Sequence, residues 1–407
     1  MNCRHCGTEL HLQLVDLGSS PPSNAYLTPA TLHEPEIWLP LRVLVCEQCW
    51  LVQTEDFTQA EALFKGDYAY YSSTSQTWLN HAAQFSAEII GRLQLTAKSF
   101  VVEIASNDGY LLKNFVAASI PCLGIEPTRG TAAAAEQLGI PVLQEFFGKQ
   151  LGHQLAVQGQ QADLIIGNNV YAHVPDINDF TLGLKALLKP GGTVSLEFPH
   201  VMELLTHCQF DTIYHEHFSY LSLKTVQRIF VSAGLRVFDV QQLTTHGGSL
   251  RVFGCHDYDD RPGKPSVESL LREEDEFGLE QRELYNDFQA RVNEIKNNLL
   301  LFLLQQQRDG KKVAAYGAAA KGNTLLNYAG IRPDLLPFAC DAAPAKQGNF
   351  LPGSRIPIYS PTELQVRRPD YLLVLPWNIA SEVMEQNHGL IEKGTRFVTA
   401  VPSLQTL

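Results

Sequence analysis

Residues 100–112 read FVVEIASNDGYLL. The apolar, β-branched run from Phe100 to Ala105 favours an extended, half-buried backbone. A turn holding Gly109 follows, and helical residues come after it. Strand, glycine turn and helix in that order open a parallel α/β sheet, and the turn is where backbone can approach a ligand beside a helix N-terminus. A dinucleotide fingerprint would fill this turn with glycines. Here Gly109 is the one that remains, and Ala105 and Asn107 stand in two of the other places.

The same alternation continues outward. CLGIEP (122–127), PVLQEFF (141–147), ADLIIGNN (162–169) and GGTVSLEF (191–198) read as four more strands separated by helical stretches. They predict a parallel sheet covered by helices on both faces, with ligand loops at the carboxyl ends of the strands. Residues 74–95 carry apolar side chains at helical spacing and form a lead-in helix. From 266 to 309 the residues Leu284, Phe288, Val292, Ile295, Leu299 and Phe302 step by three and four, predicting one long amphipathic helix stopped at Gly310. A second alternation follows in KVAAYGAAAKG (312–322), PFACDA (337–342), YLLVLPWN (371–378) and TRFVTAV (395–401), which reads as a smaller Rossmann-like unit. The expected organisation is an N-terminal module (1–70), an α/β core (71–265), a linking helix (266–310) and the second unit (311–407).

The N-terminal module is marked by Cys3-x-x-Cys6 and Cys46-x-x-Cys49. A two-residue gap turns both thiolates of a pair onto one face of a knuckle, and two knuckles supply four sulfurs to a tetrahedral zinc ion. Four cysteines fill the coordination sphere, so the zinc is structural. Two disulfides are the alternative, disfavoured because the opening MNCRHCGTEL has no apolar leader and the other four cysteines are scattered. With 45% apolar residues, net charge −12 and pI near 5.5, the chain reads as a folded globular protein without a nucleic-acid footprint. No apolar run is long enough for a membrane span, and the cytoplasm is the expected compartment.

At the end of the second core strand stands Glu126, where an acid accepts hydrogen bonds from both ribose hydroxyls of a nucleoside cofactor. Asn168 and Asn169 end the fourth strand at the same crevice. With the turn at 103–109 these residues point to S-adenosylmethionine, with NAD as the alternative that the missing glycines weaken. The cofactor set is Glu103, Ala105, Ser106, Asn107, Gly109, Glu126, Pro127, Asn168 and Asn169. The densest chemistry lies in Tyr214-His215-Glu216-His217. Imidazole titrates near working pH and suits a general base, and Glu216 suits orienting an imidazole. Tyr316-Gly-Ala-Ala-Ala-Lys321-Gly-Asn323 follows a strand and opens a helix, a setting for a diphosphate. Ser249 and Arg251 are further candidates for substrate contacts, and Asp341 is a ribose-acid candidate in the second unit.

Longer strings carry a resemblance that covers essentially the whole chain. They are LGSSPPSN (17–24), DYAYYSSTS (67–75), EIASNDGYLL (103–112), NNVYAHVPDINDF (168–180), EFPH (197–200), DTIYHEHFSYLS (211–222), HGGSLRVF (246–253), YGAAAKGNTLLNY (316–328) and LPWN (375–378). Through them the chain resembles the zinc-containing sugar C-methyltransferases, which methylate a ring carbon of nucleotide-linked keto-deoxysugars. The resemblance implies a class I methyltransferase core between a zinc module and a C-terminal Rossmann-like domain. It implies S-adenosylmethionine as methyl donor, a nucleoside-diphosphate 4-keto-deoxysugar as acceptor, and His217 as the base. It also implies that Tyr214, Glu216, His173 and Tyr68 surround the same sugar. Two other readings compete: an NAD-dependent nucleotide-sugar enzyme, and a non-catalytic zinc-ribbon protein on a decayed methyltransferase fold.

Overall fold

The computed structural model describes residues 1–57 and 71–407. Strands β1 (Leu12–Ser20), β2 (Leu39–Val45) and β3 (Val52–Thr54) form an antiparallel meander. Leu41, Val43 and Val45 alternate into the core, as a half-buried strand requires. The cysteine pairs lie just before β1 and in the turn between β2 and β3. Each knuckle is closed by the same bond: Gly7 N–H to the Cys3 carbonyl at 2.9 Å, and Trp50 N–H to the Cys46 carbonyl at 2.7 Å. Gly7 and Trp50 both take a left-handed φ there.

The central sheet begins with β4 (Val101–Ile104), β5 (Cys122–Ile125), β6 (Val142–Leu143), β7 (Ala162–Asn168) and β8 (Leu188–Pro199), all parallel. These are the five expected strands, although the third shrinks to two residues at the sheet edge, where Phe146 is exposed. Strand β9 (Ser219–Tyr220) leaves this sheet and pairs with β3, so the segment holding Tyr214–His217 is tied to the N-terminal meander. A hairpin of β10 (Leu235–Leu243) and β11 (Ser249–His256) then adds antiparallel strands beside β8. The order is β10-β11-β8-β7-β4-β5-β6. Successive strands run outward in opposite directions from β4 and β7, which makes their carboxyl ends the ligand crevice.

The expected single helix over 266–309 is two helices, Pro265–Phe277 and Phe288–Arg308. The backbone turns left-handed at Gly278 and ends the first, and buried Tyr285 anchors the break by donating to the Leu279 carbonyl at 2.6 Å. The third sheet contains β12 (Val313–Tyr316), β13 (Ala339–Cys340), β14 (Ile358–Tyr359), β15 (Tyr371–Val374), β16 (Arg396–Thr399) and β17 (Gln405–Thr406). Its order is β14-β13-β12-β15-β16-β17, parallel except for β17.

The loops after β12 and β15 face the core. Thr324 donates to the Ile213 carbonyl at 2.7 Å, and the Trp377 indole N–H donates to Asp211 at 2.8 Å. Gly247 meets the Trp377 ring so closely that a Cβ there would lie 2.4 Å from it. Among the described residues no helix is long and apolar enough to cross a membrane.

Candidate active site and metal centre

The four N-terminal cysteines converge, with all four Sγ atoms within 4.8 Å of one another. Cys3 and Cys49 are 3.5 Å apart, as are Cys6 and Cys46. A tetrahedral Zn–S₄ centre with bonds of about 2.3 Å has sulfur–sulfur edges of roughly 3.8 Å, so the cluster fits zinc and leaves no open position. The Gln53 side-chain amide donates to Cys3 Sγ at 3.3 Å, while its oxygen accepts the Arg4 N–H at 2.9 Å. That clip ties one knuckle to β3.

The turn after β4 is built from left-handed residues: Ala105, Asn107 and Gly109 have φ of 55°, 50° and 76°. The two substitutes for glycine therefore do adopt glycine-like backbone, and Asn does so readily. Gly109 is required for space as well, since a Cβ would sit 2.4 Å from Ile140 Cδ1. Glu126, one residue past β5, accepts the Asn107 N–H at 3.0 Å and the Thr128 N–H at 2.9 Å. Pro127 follows it. Glu103 is fully buried. Burial, then the charges of Asp108 and Glu126, push its carboxyl well above the usual range.

Ser106 Oγ, both polar atoms of the Asn168 side chain and one Asp108 oxygen are buried without a hydrogen-bond partner among the described residues. Unsatisfied buried polar groups are costly, and a cluster of them at a sheet's carboxyl edge suits a polar ligand. The crevice fits the nucleoside, carboxylate and amine of S-adenosylmethionine.

Beside it lies the second cluster. His217 Nδ1 is 2.8 Å from the Thr212 carbonyl, and Nε2 is 2.8 Å from the Tyr214 hydroxyl. A carbonyl only accepts, so Nδ1 carries the hydrogen and Nε2 presents its lone pair. Burial, then the neighbouring His173, holds the His217 imidazole well below its usual pKa. The His173 and His217 rings meet edge-on at 4.6 Å. Burial brings His173 down to about 4. Glu216 is buried, and His215 turns the other way to the carbonyls of Leu39 and Pro40. Tyr68 lies outside the described residues.

Lys321 reaches this cluster from the first turn of the helix Ala320–Tyr328 that follows β12. It donates to Asn378 at 2.7 Å and lies 4.7 Å over the Trp377 ring. Burial lowers its pKa, partly offset by Asp211. Asn323 donates to the Ser23 carbonyl at 2.7 Å.

Ser249 and Arg251 have protein partners instead. Ser249 donates to the Thr245 carbonyl at 2.9 Å. Arg251 is buried against Glu197 at 2.7 Å and stacks on Phe85, and His81 is 3.0 Å from the same carboxylate. Burial pushes Glu197 up, but His81 and Arg251 outweigh it and hold the carboxyl below its usual range. Asp341 accepts the Ala318 N–H at 2.6 Å and the Ala343 N–H at 2.8 Å.

Two residues at the junction, Asp211 and Asn24, were not singled out from the sequence, and a third, His246, only as the head of the stretch His246–Arg251 offered for substrate contacts. His246, held at a left-handed φ of 56°, lies 3.2 Å from the Asn169 amide, packs on Trp78 and is brought by burial to about 4. Asp211 is pushed by burial to about 6 despite Lys321. Asn24 donates to both oxygens of Glu216, at 2.7 and 3.0 Å. All three stand inside the quoted strings, Asn24 at the end of LGSSPPSN (17–24), but nothing local to Asn24 links it to Glu216.

Three domain families match in succession: a zinc binding domain over residues 3–64, a methyltransferase domain over 78–240 and a C-methyltransferase C-terminal domain over 244–402. The chain is 36% identical over 400 residues to the C-methyltransferase NovU of Streptomyces niveus, covering 98% of this chain and 95% of that protein. Solved structures similar to it include the magnesium protoporphyrin IX methyltransferase of Synechocystis PCC 6803 with bound SAH. That one is 14% identical with a TM-score of 0.35, over 43% of this chain and 82% of the other. The PH0226 protein of Pyrococcus horikoshii OT3 is 12% identical with a TM-score of 0.39, over 49% of this chain and all of the other.

Proposed function

The chain belongs to the S-adenosylmethionine-dependent C-methyltransferases that carry an N-terminal zinc-binding domain, and on that premise we propose that its acceptor is a nucleoside-diphosphate-linked 4-keto-deoxysugar, methylated on the ring carbon next to the ketone. The observation that carries this reading is the state of His217. Its Nδ1 hydrogen is held by the Thr212 carbonyl, and its Nε2 lone pair accepts the Tyr214 hydroxyl in a buried site. That fixes a neutral imidazole with Nε2 as its proton acceptor, and a ketone is what makes a ring C–H acidic enough for such a base to remove.

His217 Nε2 takes the α proton, and the electron pair of the broken C–H bond moves onto the ketone oxygen as an enolate. S-adenosylmethionine, when bound, supplies the electrophilic methyl group that this carbon takes up. The Tyr214 hydroxyl caps Nε2 in the free protein and turns to the growing negative charge on oxygen, where a positioned donor stabilises the transition state. His173, kept neutral by burial, donates from the other side. Glu216 orients the sugar, and the family resemblance assigns Tyr68 to the same acceptor. Glu126 holds the cofactor ribose. Glu103, Ala105, Ser106, Asn107, Gly109, Pro127, Asn168 and Asn169 line the rest of the cofactor crevice. Lys321 and Asn323 receive the diphosphate. Ser249 and Arg251 brace the crevice through Thr245 and Glu197. The unpaired cysteines suit a reducing cytoplasm.

The test is mass spectrometry of products from a panel of nucleoside-diphosphate 4-keto-deoxysugars, with wild type and His217→Ala. Wild type adds one methyl group to carbon and exchanges the acidic C–H with deuterated solvent; His217→Ala does neither and still binds S-adenosylhomocysteine. A His217→Ala enzyme with near-normal turnover overturns the assignment.

A further inference from the structure

The loop that follows β1 belongs to the zinc module, yet its contacts lie elsewhere. The Ser23 carbonyl accepts from Asn323 at 2.7 Å. Asn24 Nδ2 donates to both Glu216 oxygens. The Tyr26 hydroxyl donates to the Ala318 carbonyl at 2.5 Å. Leu27 exchanges backbone hydrogen bonds with Phe350, at 3.0 and 2.8 Å. Four of the five residues from Ser23 to Leu27 therefore touch the string that holds His217, the helix start that holds Lys321, or the third sheet's periphery.

We propose that Asn24 is a positioning residue of the methyl-transfer reaction, acting through Glu216, and that the zinc module thereby forms part of the acceptor site. The proposal rests on the reading above that the acceptor lies around Glu216 and His217. Glu216 is 2% exposed, and a buried carboxylate needs donors. One amide NH₂ shared by both oxygens fixes the plane of the carboxylate. An amide supplies that bond without bringing a charge of its own, as a Lys or Arg would. Asn24 is itself held from outside its own module, since Ser23 and Tyr26 on either side are tied to Asn323 and Ala318. The aim of Glu216 thus depends on the zinc module and the C-terminal unit being docked together.

The experiment uses the full-length, zinc-loaded chain with the best-methylated sugar of the panel. It compares wild type, Asn24→Ala and Asn24→Asp in kcat, acceptor KM, S-adenosylhomocysteine affinity and zinc content. Asn24→Ala is expected to lower kcat/KM about tenfold or more, with cofactor affinity and zinc unchanged. Asn24→Asp sets two carboxylates against each other, which raises the pKa of one of them. Its activity is expected to rise as pH falls, because the shared proton restores a donor to Glu216, over a range where wild type is flat. The isosteric Asp variant carries the test if the Ala variant does not fold. Wild-type kcat/KM in Asn24→Ala, or a loss in Asn24→Asp that is equal at every pH, overturns the proposal. Such results with an inactive His217→Ala leave the base assignment standing. A fully active His217→Ala removes the reading on which the proposal rests.

Discussion

The two α/β units of this chain use the same device and finish it differently. In each, an acid after the second strand accepts the backbone N–H of the turn after the first strand and a second N–H two residues beyond itself. Glu126 does so with Asn107 and Thr128, and Asp341 with Ala318 and Ala343. Around Glu126 the polar atoms of Ser106, Asn168 and Asp108 remain without partners among the described residues. Around Asp341 the protein supplies the partners itself: Lys346 lies 3.4 Å from the carboxylate and donates to the Ala318 carbonyl at 3.1 Å, beside the Tyr26 hydroxyl. An open cradle is left for a ligand, and the filled one has become a dock for the zinc module. The same local geometry serves binding in one unit and assembly in the other, and satisfaction of hydrogen bonds distinguishes them.

The largest expected effect tests the docked side. Structural zinc sites contribute roughly 10–16 kcal/mol of apparent binding energy at pH 7, so Cys46→Ser should lose the metal, unfold the N-terminal module and abolish methyl transfer. Metal analysis and thermal melts check this, and a variant with full zinc content and unchanged melting would break the comparison. Next in size is the proposed base, His217, a role worth roughly 10²–10⁴ in rate. Burial keeps the His217 pKa well below the usual imidazole value, so the neutral, competent form persists on the acid side. The kcat/KM profile should therefore stay flat as pH falls through the usual imidazole range of about 6.5. Stability follows the opposite course. His173 and His246 are brought by burial to about 4, so they resist the proton that the unfolded chain accepts. The melting temperature should be steady above about pH 6.5 and fall as pH drops toward about 4. An activity profile falling at the usual imidazole pKa would contradict the buried-base reading.

Much of the core could be read from the sequence because its signals are local. Short apolar runs in FVVEIA, CLGIEP, ADLIIGNN and GGTVSLEF marked β4, β5, β7 and β8, and the glycine-poor turn was read from Gly109 together with Glu126, Asn168 and Asn169. The unread parts depend on distance along the chain. Strand β9 is two residues long and exists through its partner β3. The hairpin β10–β11 follows five parallel strands and reverses direction, which no local periodicity announces. Arg251 looked available as a cation because its partner, Glu197, is 54 residues away. Asn24 and Glu216 are 192 residues apart, so the contact between them had no sequence signal. The helix break at Gly278 was legible, since glycine is the commonest left-handed stop, but the apolar steps on either side masked it.

A matched pair of substitutions sharpens the comparison directly. Glu126→Ala removes charge-assisted hydrogen bonds worth roughly 1.5–3 kcal/mol each, so S-adenosylhomocysteine affinity should fall tenfold or more. Asp341→Ala removes the equivalent acid from the filled cradle and should leave that affinity unchanged, while lowering the melting temperature because two backbone N–H groups lose their acceptor. Calorimetric titration with the cofactor product checks both. Equal losses in the two variants would mean that the second cradle also takes the cofactor.

The smallest effect is expected from Tyr26→Phe, which keeps the ring beside Lys346 and deletes only the hydroxyl that reaches Ala318. A neutral hydrogen bond of this kind contributes about 0.5–1.5 kcal/mol net. The Ala318 carbonyl retains Lys346 as a donor, which keeps the loss near the lower end. Because Ala318 lies three residues before Lys321, loosening this contact should weaken the hold on the diphosphate that the proposed acceptor carries. The acceptor KM should rise a few-fold at nearly constant kcat, with cofactor affinity and zinc content as in wild type. If kcat falls and KM does not, the dock acts on the chemistry through Asn24 and Glu216 and not on the diphosphate. If neither moves, the filled cradle supports the fold without tuning the acceptor site.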